Sequence, residues 1–192
     1  ATTMDTTCRP AYADGIIVIP LSGGYLQALS AATRNTMWVT VPTQGSQSVS
    51  TLTIADGCVY ASTVEELCSG DDRATKGTLY CYDLYTGDRI GKAVNESAGY
   101  YWTGGVKVGD YFIVPDDAGN VTAYTADLKQ QVSSVHLDAA GIRSSLIVDG
   151  DTIYAVSKGG VLYRLVLRDA GASARSVGED FAVQLVQAGE GL

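Results

Sequence analysis

"KGTLYCYDLYTGDRIG", residues 76–91, holds a glycine, an apolar alternation through Leu79 and Cys81, and an Asp-Leu-Tyr-Thr-Gly turn. Taken alone it is a hairpin. Set against the rest of the chain it is one copy of a repeat, and self-similarity at a fixed period is the signature of a repeat architecture. "ADGIIVIPLSGGYLQALSAATRNTMW" from Ala13, "ADGCVYAS" from Ala55 leading into residues 76–91, "VGDYFIVPDDAGNVTAYTADLKQQV" from Val108 and "VDGDTIYAVSKGGVLYRLVLRDAG" from Val148 share one order of parts. Each has a turn glycine, a strand, a second turn glycine and another strand. The first turn glycines, Gly15, Gly57, Gly109 and Gly150, lie 42, 52 and 41 residues apart, and the second, Gly24, Gly77, Gly119 and Gly160, lie 53, 42 and 41 apart. A period of about forty to fifty residues is the size of a four-stranded propeller blade.

The short β-branched and aromatic runs "GIIVIP", "GCVYAST", "DYFIVP" and "DTIYAVS" are bounded by Gly, Asp and Ser, and no stretch carries a capped 3.6-residue apolar stripe. The chain is therefore expected to be all-β, a β-propeller of four-stranded antiparallel blades at residues 8–46, 47–97, 98–139 and 140–180. In each blade an apolar run before the first glycine forms the innermost strand, and the glycine supplies the positive-φ turn into the second. In the third strand Leu26 and Ala28, Leu79 and Cys81, and Val121 and Ala123 alternate onto one face, which is expected to pack between neighbouring blades. "VQLVQAGEG" ends the chain with Gly189 placed 39 residues after Gly150, so 181–189 reads as the inner strand of a further blade. Four blades and an extra strand point to a piece of a larger propeller, or to two halves completing one ring as a dimer.

Composition limits what such a module could do. The 192 residues are 46% hydrophobic and 18% charged, as in a globular protein with a real core. A net charge of -8 with scattered Lys and Arg would repel a phosphate backbone, so no nucleic-acid partner is expected. No apolar run approaches the ~18 residues of a membrane span. No charged segment followed by an apolar run opens the chain, so any export signal has been removed or lies outside it. The cysteines Cys8, Cys58, Cys68 and Cys81 have no CxxC spacing and the chain has one histidine, so no metal site is expected. With 22 Gly and 12 Tyr the composition is that of an exported β-protein, expected outside the cell, at its surface or in the periplasm.

The chain resembles the pyrroloquinoline-quinone-type (PQQ-like) repeat of the quinoprotein alcohol dehydrogenase-like β-propellers. The resemblance rests on "DG" plus a strand, then "GGYLQALSAATRNTMW" and "KGTLYCYDLYTGDRIG" against a Gly-x-Leu-x-Ala-Leu/Tyr-Asp-x-x-Thr-Gly-x-x-x-Trp consensus, and it covers nearly the whole chain in four copies. Arg34 stands where that consensus has Gly, Gly91 where it has Trp, the third and fourth copies lose the Thr-Gly, and Trp38 is the outer-strand tryptophan retained. The family's quinone enzymes imply an aromatic platform, a calcium site and a vicinal Cys-Cys pair. No adjacent cysteines occur here, so the resemblance is taken as architecture, with no cofactor expected.

No HExxH, GxSxG or Walker loop is present, and His136 has no companion nucleophile motif. "VPDDAGNVTAY" has the outline of a sialidase Asp-box turn but lacks its Ser and Trp. The second copy carries about eleven extra residues in "STVEELCSGDDRATKG", in the connection between its second and third strands. In an up-and-down blade that connection emerges on the same face as the one between blades, here "VNESAGYYWTGG". Glu65, Glu66, Asp71 and Asp72 are thus expected near Tyr100, Tyr101 and Trp102 on one rim, where aromatics beside acids suit a protein or carbohydrate ligand. The alternative is that Tyr-Tyr-Trp begins an inner strand and packs inward while the acids are solvated. Cys58 and Cys81 could face each other across one hairpin, with a bridge to Cys68 or free thiols both open. The expected role is a non-catalytic binding module or assembly scaffold. The alternative is a propeller enzyme, a glycoside hydrolase or quinoprotein-type oxidoreductase, whose catalytic residues lie partly outside the chain.

Overall fold

A computed structural model describes residues 8–21, 24–40, 48–67, 74–169 and 183–187. Every regular element among them is a strand. The first sheet runs β1 (Ala11–Ala13), β2 (Ile16–Leu21), β3 (Tyr25–Ser30) and β4 (Thr36–Thr40) in chain order. The second contains β5 (Ser48–Val49), β6 (Thr53–Ala55), β7 (Cys58–Leu67), β8 (Ala74–Asp83) and β9 (Arg89–Asn95). The third holds β10 (Val106–Val108), β11 (Tyr111–Pro115), β12 (Asn120–Thr125) and β13 (Gln131–His136). The fourth holds β14 (Ile147–Asp149), β15 (Thr152–Val156), β16 (Leu162–Asp169) and β17 (Val183–Gln187).

Each innermost pair is joined by a two-residue turn. Asp14-Gly15 and Asp56-Gly57 take positive φ at both positions, the type I′ pattern that matches strand twist, while Gly109 and Gly150 supply a single positive φ before Asp110 and Asp151. The second turn glycines Gly24, Gly119 and Gly160 are also left-handed, at φ 79, 88 and 82°. Gly77 is not. It lies inside β8, where a Cβ would fall 2.7 Å from the Tyr100 ring and 2.8 Å from the Thr63 carbonyl oxygen, so it is a clearance glycine rather than a turn.

The cause is the insertion, whose described residues extend the two strands. β7 and β8 stay in one register from Cys58↔Asp83 out to Leu67↔Ala74 and project past the sheet, and β5 pairs along the projecting part through Ser48↔Val64 and Val49↔Thr63. β5 is therefore the strand added to the four-stranded plan. Val183–Gln187, expected to open a further blade, instead pairs antiparallel with β16 from Leu165↔Gln187 to Asp169↔Val183 and closes the fourth sheet's outer edge. A long β16 with no outer neighbour would present an unpaired ladder, which this pairing satisfies.

The core is divided among the gaps between consecutive sheets. Ile16, Val18, Leu26, Ala28 and Trp38 of the first meet Val59, Ala61, Tyr80 and Tyr82 of the second. Tyr60, Leu79 and Cys81 meet Phe112, Val114 and Tyr124 of the third. Val108, Ile113, Val121 and Ala123 meet Ile153, Ala155 and Leu165 of the fourth. The alternating third-strand residues Leu26, Ala28, Leu79, Cys81, Val121 and Ala123 thus face the next sheet, and each is buried. No core among the described residues joins the fourth sheet back to the first.

Candidate binding rim

The projecting β7–β8 hairpin packs on the connection that carries the chain from the second sheet to the third. Tyr100 N donates to Thr63 O at 3.4 Å, Ser50 Oγ donates to Tyr100 O, and Thr51 Oγ1 donates to Trp102 O at 2.9 Å. Gly99 leaves no room for a side chain, since a Cβ there would lie 2.7 Å from Ala74 Cβ. Val64, Ala74 and Tyr101 form a small core of their own. The described part of the insertion and the Tyr-Tyr-Trp segment are thus brought together through apolar side chains and backbone.

The three aromatics separate. Tyr100 is fully buried, and burial, with Tyr124 beside it, holds its phenol above the ordinary tyrosine range. Tyr101 is buried as well. Trp102 alone is open, at 50% exposure, in a left-handed conformation at φ 50° that costs a non-glycine residue about 1–2 kcal/mol. Of the two readings of this segment, inward packing describes Tyr100, in the core between the second and third blades, and Tyr101, against Val64 and Ala74, while Trp102 is exposed.

Under Trp102 lies a charged support that no sequence spacing announces. Arg143 places its guanidinium 4.3 Å over the Tyr101 ring centroid and 5.9 Å from that of Trp102, and the two rings sit 5.6 Å apart. The same guanidinium donates to Asp117 through Nε to Oδ1 at 2.6 Å and Nη2 to Oδ2 at 3.0 Å. The Asp117 side chain is 2% exposed, so the pair is buried and two-pronged. Asp117 N donates in turn to Gly99 O at 3.0 Å, tying the turn after β11 to the Tyr-Tyr-Trp segment.

Of the acids, Glu65 lies on β7 opposite Lys76, with Oε1 accepting from Thr63 Oγ1 at 2.8 Å. Glu66 is on the same strand, and Asp71 and Asp72 lie outside the described residues, as does Cys68. Lys76 Nζ reaches Glu96 Oε2 at 3.4 Å. Asp116 is occupied as a turn cap: its Oδ1 accepts from Ala118 N and Asn120 N at 3.0 and 2.9 Å, and its Oδ2 accepts from Asn95 Nδ2 at 3.0 Å. His136 is exposed and bonded to Asn120 through Nδ1 at 3.1 Å. Cys58 and Cys81 are free thiols; Cys81 stands opposite Tyr60, and burial followed by the nearby Cys58 pushes its thiol up.

Among the described residues no helix is long and apolar enough to cross a membrane. No protein-family model and no curated protein matches the chain. Solved structures do match. The computationally designed Ika4 protein aligns with TM-score 0.69 at 10% identity over 85% of this chain and 92% of its own. The computationally designed Ika8 protein aligns at 0.66 and 11% identity over 82% of this chain and 44% of its own. A europium-containing methanol dehydrogenase aligns at 0.63 and 15% identity over 82% of this chain and 39% of its own. The chain thus spans less than half the length of the last two. With four antiparallel sheets packed face to face and these likenesses of fold, the chain has the β-propeller fold, built of four-stranded blades of which the second carries one added strand.

Proposed function

We propose that the chain is a non-catalytic propeller module of an exported or cell-surface protein, binding a protein or carbohydrate ligand at the rim around Trp102 and serving in assembly. The observation that carries the proposal is Trp102 itself: a half-exposed indole, held in a left-handed backbone and braced from beneath by Tyr101 and the buried Arg143–Asp117 pair. A fixed, open indole is a ready surface for a sugar ring or an apolar side chain, and its order is established before any ligand arrives. Glu65, Glu66, Asp71 and Asp72 would form the polar margin of that surface. Tyr100 and Tyr101 act as its supports.

The test uses titration of the chain with neutral and amino-sugar oligosaccharides and with extended peptides, followed by indole fluorescence. Trp102→Ala is expected to weaken the responding probe at least about tenfold, a loss of about 1.4 kcal/mol, with far-UV spectra unchanged. Equal binding by wild type and Trp102→Ala discards the rim.

A further inference from the structure

The junction between the second and third blades is hollow in its outer half, where the junctions on either side are filled. One residue of each third strand turns back toward the preceding blade. By the pairings Ala61↔Tyr80, Val114↔Thr122 and Ala155↔Tyr163 it is Tyr80 in the second blade and Tyr163 in the fourth, but Thr122 in the third. Tyr80 and Tyr163 both pack into their junction cores, and Thr122 is too short to do the same. The facing wall is small as well, since β9 turns Ala93 to the third blade. Between these walls lies a cleft of about 410 Å³, within the ~300–1,000 Å³ of small-molecule sites. Its lining offers groups that can both donate and accept. Thr122 Oγ1 and Ser134 Oγ lie 2.9 Å apart and share one hydrogen bond, so one of the two hydroxyl protons is left for the cleft. Tyr124, 6% exposed, accepts from the Tyr100 hydroxyl and keeps its own proton to donate. The Gln131 carboxamide, on the same wall, has no side-chain partner among the described residues.

The charge of the cleft decides what can enter. Asp116, 3% exposed, forms no ion pair among the described residues, and Glu96, at the open edge, has Lys76 as its partner at 3.4 Å. A lining of this sign repels carboxylates, sulfates and phosphates. Asp116 has no room for an ammonium group either. Its Oδ1 accepts from Ala118 N, Asn120 N and Asn120 Nδ2, and its Oδ2 from Asn95 Nδ2 and Asn120 Nδ2. These bonds fix both asparagines, so the wall is ordered before any ligand arrives. What remains is a set of uncharged two-way partners, which matches a ligand made of hydroxyl groups. We propose that the cleft between the second and third blades binds a neutral saccharide unit, its ring hydroxyls bonded to Thr122, Ser134, Tyr124 and Gln131. The site is separate from the rim at Trp102, which lies seven residues beyond Asn95, where the connection nears the innermost strand of the third blade.

Glucose, mannose, galactose and N-acetylglucosamine, each as monosaccharide and disaccharide, are titrated into the isotope-labelled chain and followed by backbone-amide NMR. At least one is expected to shift the amides of Asn95, Ser97, Asn120 and Ser134 as a group, whereas glucuronate and N-acetylneuraminate leave them in place. The double variant Thr122→Val/Ser134→Ala removes both members of the hydroxyl pair and so strands neither. It should keep the wild-type urea midpoint and raise the dissociation constant of the responding sugar at least about tenfold. Gln131→Ala, at an exposed position, should weaken the same sugar severalfold with the fold untouched. Trp102→Ala should leave these shifts as they are. The proposal is overturned if no neutral sugar moves the cleft amides at high millimolar concentration, if the acidic sugars bind equally well, or if the double variant and Gln131→Ala bind as wild type does. A sugar that changes the Trp102 emission and not the cleft amides overturns the cleft while leaving the rim intact.

Discussion

The indole Nε1 of Trp38 donates a 2.9 Å hydrogen bond to the carbonyl of Leu84, fastening the outer strand of the first blade to the β8–β9 turn of the second. The ring also fills the space over Gly87, where a Cβ would lie 2.7 Å away, so the Thr-Gly turn and the tryptophan of the preceding blade are made for each other. Trp38→Ala is expected to lose about 3–5 kcal/mol of unfolding free energy, from buried area plus the cavity left behind. Trp38→Phe keeps most of the ring but leaves the Leu84 carbonyl without its donor, for a loss of about 1–3 kcal/mol. Urea denaturation followed by far-UV dichroism distinguishes the two.

The same place in the second blade is Gly91, since Trp38 pairs with Ala28 and Gly91 pairs with Cys81. Here the neighbouring turn comes in close, and the Asp127 carbonyl oxygen occupies the position a Cβ would take. Tyr60 supplies the tie instead, its hydroxyl donating to Ala126 O at 2.8 Å. Gly91→Ala is expected to destabilise by about 2–3 kcal/mol through overpacking. Restoring the consensus with Gly91→Trp should cost more than Ala, the reverse of what repeat consensus alone would predict, and thermal unfolding of the two variants checks the order.

Much of this was legible in the sequence because it depends on period and local backbone. Turn glycines at Gly15, Gly57, Gly109 and Gly150 and the inward alternation at Leu26, Leu79 and Val121 follow from φ preference and the two-residue strand repeat. What was not legible depends on contacts between segments far apart in sequence. Gly77 has the spacing of a turn glycine, yet its role is set by Thr63 across the hairpin and by Tyr100 on the connection to the next blade. Gly189 has the spacing of a fifth blade, yet the strand before it pairs with β16. Arg143 and Asp117 are 26 positions apart, and only the meeting of the blade-joining segments makes them a pair. Likewise the burial of Tyr100 and Tyr101 is set by Phe112, Tyr124, Val64 and Ala74, none of them a sequence neighbour.

Arg143 is expected to be sensitive to its shape as well as its charge. Arg143→Met leaves buried Asp117 with Lys158 Nζ alone, 3.9 Å from its Oδ1, and should lose up to about 3 kcal/mol. Arg143→Lys retains a charge but not the planar fork that bonds both carboxylate oxygens and lies over Tyr101, and should recover only part of that loss. The double variant Arg143→Met/Asp117→Asn removes the uncompensated charge and is expected to be more stable than Arg143→Met alone, a non-additivity that a double-mutant cycle by urea unfolding measures directly.

Alkaline pH probes the blade junctions. Burial pushes Cys81 up from 9.0, and burial also pushes Tyr60 and Tyr82 up from 10.0. In the folded chain these groups keep their protons where the unfolded chain has released them, so their contribution is fully present below the unfolded values and is lost as pH rises above them. Stability is expected to fall from about pH 9 upward, by up to about 1.4 kcal/mol per pH unit for each group. Ala28 and Ala123 hold the position equivalent to Cys81 in the first and third blades, so Cys81→Ala should fold normally and delay the onset to about pH 10. Urea midpoints between neutral and alkaline pH test the shift, and in native protein at pH 8 the Cys81 thiol should resist a thiol reagent that labels it on unfolding.

The chain has two tryptophans, and the structure gives them opposite duties. Trp38 is 8% exposed within a junction, whereas Trp102 is 50% exposed in a left-handed backbone. Iodide should therefore quench Trp102 and spare Trp38, and Trp102→Ala should abolish most of the quenchable emission. Trp102→Gly removes the strain of a positive φ, a gain of about 1 kcal/mol, and forfeits the contacts with Tyr101 and Arg143, a loss of similar size. Its net stability should thus lie within about 1 kcal/mol of wild type, far from the loss expected at Trp38. A Trp102→Gly variant as stable as wild type supports the proposal that the indole is held for what it touches outside the chain, and one several kcal/mol less stable would instead assign it to the core.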